Sequence, residues 1–119
     1  MACSAAIAAI RVTLRDRLWE QAAAKGDFLL PRLRDLATQY PHILREVTGR
    51  GLLIGMHFHD PKVGYRIAAG LFKRGVLVAG TLTSAHTIRI EPPLIIEYAQ
   101  LGTVLDRLAD TLAEVSRSM

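Results

Sequence analysis

One arginine in this sequence stands where it could bind a carboxylate. Arg89 lies between Ile88 and Ile90 in a short run that Pro92-Pro93 stops. Side chains alternate between the faces of a strand, so Arg89 is predicted to project away from the core that the isoleucines fill. A guanidinium held in this way matches the two oxygens of a carboxylate. On the residues alone, a structural ion pair with Glu91 or another acid at a sheet edge is the favoured alternative.

Two histidines have a spacing that could serve a metal ion. His57 and His59 flank Phe58 and share one face of a predicted strand. A zinc site needs a third and usually a fourth ligand. The remaining candidates have no spacing that brings them close, and they are His42, Asp60, His86 and Cys3. No metal site is therefore expected, and the favoured interpretation is a solvent-facing or interface strand face.

No residue of the chain is predicted to act in catalysis or to bind a cofactor. The three lysines, Lys25, Lys62 and Lys73, lie in polar surroundings and are predicted to be exposed, whereas a Schiff-base lysine needs a desolvated or specially paired setting. Gly49-Arg50-Gly51 does not open a helix, so it is interpreted as a hairpin turn and not as a phosphate-binding loop. Paired carboxylates, a serine-histidine arrangement and a CxxC motif are all absent.

Composition indicates one ordinary globular domain over residues 1–119, with 50% hydrophobic and 22% charged residues. The net charge of +4 comes from 15 basic and 11 acidic residues, and the basic ones are spread singly, so nucleic-acid binding is not expected. Cys3 is the only cysteine, which makes the cytoplasm the default location. Charged residues from Arg11 onward interrupt the opening apolar run, so neither a signal peptide nor a membrane span is predicted.

Hydrophobic periodicity predicts a two-layer α+β fold, with a three- to four-stranded, mainly antiparallel sheet against helices. Helices are predicted over Ala2–Ala24 (with a possible break near Arg17), Leu29–Tyr40, Pro61–Lys73 and Tyr98–Ser116. Strands are predicted over Ile43–Thr48, Leu52–Phe58, Val76–Ala79 and Thr87–Ile90. The side chains expected to face helices are Ile54, Met56, Phe58, Val76, Val78, Ile88 and Ile90. In the third helix the expected buried stripe is Ile67, Ala68, Leu71 and Phe72.

Five segments, taken in order, resemble the C-terminal small domain of class III pyridoxal-phosphate-dependent aminotransferases, which belongs to fold type I. They are Met1–Ala6, Lys25–Leu30, Gly49–Met56, Phe72–Leu82 and the most specific, Thr87–Leu94. The subgroup that they resemble most is the putrescine (diamine) aminotransferases. The chain departs from the residues common in the family at Thr48 (arginine), His57 (glutamate), Thr83-Ser84 (an Asn-Asn pair) and His86 (lysine).

The resemblance implies that Arg89 binds the carboxylate of glutamate or 2-oxoglutarate. It also implies that the cofactor lysine, the aspartate facing the pyridine nitrogen and the phosphate-binding loop lie in a preceding large domain. Pyridoxal phosphate is then expected in the complete enzyme and not in this chain alone. The complete enzyme would be a homo-oligomer that acts on a diamine or other ω-amine. This chain alone would be inactive. The alternative is a non-catalytic binding or assembly module with the same fold.

Overall fold

The structure is a four-stranded sheet with helices on one of its faces. The computed structural model describes residues 1–119. The elements are α1 (Ala2–Arg15), α2 (Leu18–Gln39), β1 (Leu44–Arg50), β2 (Leu53–Phe58), α3 (Pro61–Lys73), β3 (Ala79–Gly80), β4 (Thr87–Ile90) and α4 (Tyr98–Arg117). The strands pair in the order β1-β2-β4-β3, and every pair is antiparallel. The predicted α+β class and antiparallel sheet are therefore confirmed.

One hydrophobic core lies between the sheet and helices α2, α3 and α4. It comprises a cluster of 21 buried residues, which includes Ile54, Met56 and Phe58 of β2 and Ile88 and Ile90 of β4. Because strand side chains alternate, the opposite face carries the intervening residues of these strands, and no helix of the chain covers it. We call it the open face. The predicted strand register is confirmed, although Val78 is only partly buried.

The hairpin and the start of α3 follow local rules. Gly51 has φ of 58° at the turn between β1 and β2, a left-handed conformation that glycine adopts at little cost. Asp60 caps α3 by accepting a hydrogen bond from the backbone N–H of Lys62 at 2.8 Å, and Pro61 occupies the first helical position. Both features agree with the sequence prediction.

Three details differ from the prediction. Helix α2 is continuous from Leu18, where a separate helix was expected from Leu29, and Pro31 lies inside it. Strand β3 is only Ala79–Gly80, because the chain before it diverges from β4. Phe72 is 69% exposed, since the buried side of α3 consists instead of Val63, Gly64, Ile67 and Leu71.

Helix α1 projects from the body of the molecule. A left-handed residue, Arg17 with φ of 49°, separates it from α2 at the predicted break, and none of its residues is buried. The radius of gyration is 15.5 Å, against about 13.5 Å for a compact chain of this length. The apolar side chains Ile7, Ile10 and Leu14 are 50–60% exposed, so α1 presents an uncovered apolar stripe. None of the four helices combines the length and the hydrophobicity that a membrane span requires.

Candidate functional site

Arg89 lies in the middle of β4 and projects on the open face. Its neighbours Ile88 and Ile90 are 5% and 6% exposed on the core side, so the predicted orientation is confirmed. Directly across the sheet, Arg89 pairs with Gly55 of β2 and Ala79 of β3. Side chains directly opposite on neighbouring strands share one face. Ala79 is small, whereas the space above Gly55 is taken by His57 Nε2 and Thr48 Oγ1, which would lie 3.2 and 3.3 Å from an added Cβ.

The guanidinium is anchored at one nitrogen and only loosely paired at another. Arg89 Nε donates to the carbonyl oxygen of Gly80 at 3.2 Å, which fixes the base of the group against β3. Its Nη2 lies 3.5 Å from the carboxylate of Glu91, and the two side chains are 43% and 40% exposed. The ion pair expected from the residues alone is thus present, but an exposed pair of this kind stabilises by only about 0–1 kcal/mol.

A cleft of about 730 Å³ adjoins Arg89. Its lining includes Val76–Ala79, the segment that diverges before β3, and Glu91, Pro92 and Pro93. Helix α4 also lines it, and its Arg107 adds a second guanidinium. A cavity of this size suits a small molecule, and its mixture of apolar walls with a few charged groups is typical of such sites.

Three side chains form a hydrogen-bonded ladder across β1, β2 and β4 on the open face. Thr48 Oγ1 lies 2.8 Å from His57 Nε2, and His57 Nδ1 lies 2.9 Å from Thr87 Oγ1. Both ring nitrogens of His57 are therefore occupied. Thr48 and His57 are two of the positions at which the chain departs from the family, and the structure shows that these two replacements contact each other.

The histidines do not gather around a metal position. His59 Nε2 donates to the carbonyl oxygen of Pro41 at 3.0 Å, while His57 bonds the two threonines. No group of three or more His, Cys, Asp or Glu side chains is placed to hold a metal ion. The favoured interpretation of His57 as a residue of an interface or solvent-facing strand face agrees with its position.

The prediction that all three lysines are exposed is wrong for Lys25. Its side chain lies on the inner side of α2, the residue is 6% exposed, and Nζ donates to the carbonyl oxygen of Leu94 at 2.9 Å. Lys62 and Lys73 are exposed. A helical pattern could have revealed this burial, because Lys25 is seven residues after the buried Leu18 and four before the buried Leu29.

None of the three lysines fits a Schiff-base role within these residues. The ammonium group of Lys25 is buried and donates a hydrogen bond to the carbonyl oxygen of Leu94, in the loop after β4, and the other two lysines are exposed to solvent. A Schiff-base lysine requires an accessible ε-amine in a desolvated or specially paired position. The site residue that the structure brings to a cleft is Arg89, with Glu91 beside it.

Solved structures of aminotransferases share this fold. Acetylornithine aminotransferase from Elizabethkingia anophelis is 28% identical with a TM-score of 0.87, covering 95% of this chain and 30% of that chain. Lysine aminotransferase from M. tuberculosis is 27% identical with a TM-score of 0.82, covering 88% and 24%. An (S)-enantioselective omega-transaminase from Thermomicrobium roseum is 31% identical with a TM-score of 0.81, covering 96% and 27%. The chain therefore spans less than a third of each of these proteins.

The family comparison agrees with the structural one. The sequence pattern of the family described as Aminotransferase class-III matches residues 1–112, which is nearly the whole chain. This match includes both strands that flank Arg89, the hairpin of β1 and β2, and most of α4. The chain belongs to the class-III aminotransferase family.

Proposed function

We propose that this chain is the C-terminal small domain of a pyridoxal-phosphate-dependent aminotransferase, in which Arg89 binds the carboxylate of 2-oxoglutarate or glutamate. The observation that carries the proposal is the placement of Arg89. It stands on the open face between Gly55 and Ala79 and lines a cleft that could hold a small molecule.

The energetics of the Arg89 site favour an incoming carboxylate. Glu91 lies 3.5 Å from Nη2 in partial solvent, so exchanging it costs about 0–1 kcal/mol. A well-made, bidentate hydrogen bond from a guanidinium to a substrate carboxylate contributes about 1.5–3 kcal/mol. In this proposal Glu91 pairs with the guanidinium in the absence of substrate, and the substrate carboxylate displaces Glu91 when it binds.

The cofactor belongs to the complete enzyme. Pyridoxal phosphate, when bound, supplies the electron sink that stabilises the substrate carbanion. None of the lysines described above fits it, so we place the cofactor site in a large domain that packs on the open face. The chain alone would then be inactive, and Thr48, His57 and Thr87 would contact that large domain or a second subunit of a homo-oligomer.

We propose a diamine, such as putrescine, or another ω-amine as the amino donor. The support is the resemblance of Phe72–Leu82 and Thr87–Leu94 to putrescine aminotransferases. Similarity to a lysine aminotransferase and to an omega-transaminase is in keeping with a donor of this class. The cleft beside Arg89 has mixed walls and does not by itself select one amine.

A substrate panel on the complete enzyme tests these assignments. Each half-reaction is followed separately by the absorbance of the cofactor, with putrescine, lysine and alanine as donors and with 2-oxoglutarate and pyruvate as acceptors. We expect rapid reaction with putrescine and a strong preference for 2-oxoglutarate. A preference for pyruvate would contradict 2-oxoglutarate as the acceptor, although pyruvate also has a carboxylate that Arg89 could bind, and a preference for alanine would contradict the donor class.

The second candidate is a free-standing assembly module. The observation in its favour is the apolar stripe on α1, where Ile7, Ile10 and Leu14 are half-exposed or more. Exposed apolar patches of this kind promote association. Sedimentation of the 119-residue chain should show self-association that Ile10→Glu abolishes, and a monomer at high concentration would count against this candidate.

A further inference from the structure

Lys25 is a buried cation without a carboxylate partner. The residue is 6% exposed, and its one hydrogen bond joins Nζ to the carbonyl oxygen of Leu94, 69 positions along the chain. Burying an ammonium group is costly unless it is paired. A leucine or methionine would continue the apolar side of α2 without that cost. The contact with Leu94 is therefore the distinguishing feature of this position.

The segment that Lys25 holds has few other hydrogen bonds, although Ile96 packs against the core. Between Ile90 and Glu97 the only backbone hydrogen bond runs from Ile96 N to the carbonyl oxygen of Pro93, at 3.0 Å. Two of its residues are prolines, which have no N–H to donate. The bond from Lys25 is thus the one hydrogen bond that ties this segment to a helix of the core.

The neighbours of Lys25 on α2 reinforce the same contact region. Phe28, one turn further along, packs edge-on against Tyr98 with ring centroids 5.3 Å apart, at the start of α4. Gly26 lies so close to the hairpin turn that an added Cβ would be 2.5 Å from the carbonyl oxygen of Gly51. Helix α2 is therefore fixed to the hairpin and to the segment after β4 by adjacent residues.

We propose that Lys25 is a positioning residue for Arg89. Lys25 holds Leu94, the rigid Pro92-Pro93 pair connects Leu94 to Glu91, and Glu91 pairs with the guanidinium of Arg89. Lys25 thereby sets the position in which Glu91 holds the Arg89 guanidinium before a substrate carboxylate displaces Glu91. This inference rests on the proposed function, and it adds a residue in α2 that does not itself contact the substrate.

The test is a double-mutant cycle in the complete enzyme. Lys25→Met removes the ammonium group but keeps a long apolar side chain, and Lys62→Met makes the same change at an exposed position as the matched control. The second-order rate constants with 2-oxoglutarate and with putrescine are measured in single turnovers, each variant being made alone and together with Arg89→Ala. Residues that act through one another give non-additive effects.

We expect Lys25→Met to slow the 2-oxoglutarate half-reaction by a factor of up to about five, because the effect passes through the exposed ion pair of Glu91 with Arg89. The putrescine half-reaction and the Lys62→Met enzyme should be unchanged. In the Arg89→Ala background the effect of Lys25→Met should disappear. Equal slowing of both half-reactions, or full additivity with Arg89→Ala, would overturn the proposal.

The cycle also separates the two claims. If Arg89→Ala leaves the 2-oxoglutarate half-reaction intact, the proposed function fails; if Arg89→Ala slows it and Lys25→Met does not, only the positioning role fails. Should Lys25→Met not give a folded enzyme, Lys25→Gln is measured in the same cycle. Lys25→Gln should slow the 2-oxoglutarate half-reaction less than Lys25→Met would, and this effect should disappear in the Arg89→Ala background. Equal slowing of both half-reactions, or full additivity with Arg89→Ala, would again overturn the positioning role.

Discussion

Two adjacent residues of β4 should respond very differently to truncation. Ile88 is 5% exposed and faces the helices. Removing its side chain to alanine should lower the free energy of unfolding by about 2–5 kcal/mol, the range for large-to-small substitutions in a core. Arg89 has a side chain 43% exposed and one long ion pair. Arg89→Ala should cost no more than about 1 kcal/mol, because an exposed pair contributes little and no cavity is opened.

The assay is urea unfolding of the 119-residue chain, followed by circular dichroism. The slope of the free energy against urea should be the same for wild type and both variants, so that the midpoints report stability. If Arg89→Ala destabilises the chain as much as Ile88→Ala, Arg89 is a structural residue, and its side chain is not free to bind a ligand on the open face. If neither variant is destabilised, the assigned strand register is wrong.

Three further outcomes are expected of the same chain. Gly26→Ala should destabilise the chain by about 1–3 kcal/mol, because the new Cβ would meet the backbone of Gly51. Gly102→Ala is the control: no heavy atom lies within 4 Å of its Cβ position, so it should stabilise the chain by up to about 1 kcal/mol. Equal effects of the two variants in urea unfolding would refute the contact of Gly26 with Gly51. The hydrogen bond from Arg74 lowers the pKa of the Glu114 carboxyl below its usual 4.5, so its stabilising contribution is present above pH 4.5 and is lost as the pH falls through the lowered pKa. The stability difference between wild type and Glu114→Gln should accordingly shrink in acid. A stability difference that does not change with pH would contradict the stabilising role of the Arg74–Glu114 hydrogen bond. Finally, pyridoxal phosphate added to the chain should give no saturable absorbance band that depends on Lys25, because Nζ of that residue is buried and bound to Leu94. A band that Lys25→Met abolishes would show that the amine is accessible.

Strand faces and local caps could be predicted from the sequence because they depend on short-range patterns. The alternation of Ile88, Arg89 and Ile90 placed the guanidinium opposite the core, and the structure agrees. The Asp60-Pro61 pair marked the start of α3 for a similar reason, since an N-cap and a first-turn proline act within three residues. These features need no knowledge of the rest of the fold.

Features that depend on tertiary contacts could not be predicted in this way. The α2 helix runs through Gly26 because Gly26 packs on the hairpin turn, which outweighs its low helix propensity. The helical pattern places Lys25 on the buried side of α2, but it does not show that a carbonyl 69 residues later accepts a hydrogen bond from the ammonium group, and a lysine is usually exposed. The contact of Thr48 with His57 depends on the register of β1 and β2, which fixes which side chains meet across the sheet.

The most direct measurement is the selectivity of the complete enzyme between its two half-reactions when Arg89 is truncated. Single-turnover rate constants with 2-oxoglutarate and with putrescine are compared for wild type and Arg89→Ala. We predict that the 2-oxoglutarate constant falls by about 10-fold to 100-fold, as expected for the loss of a charge-assisted hydrogen bond, while the putrescine constant is unchanged. An equal fall in both constants, or no fall in either, would contradict the assignment of Arg89 as the carboxylate-binding residue.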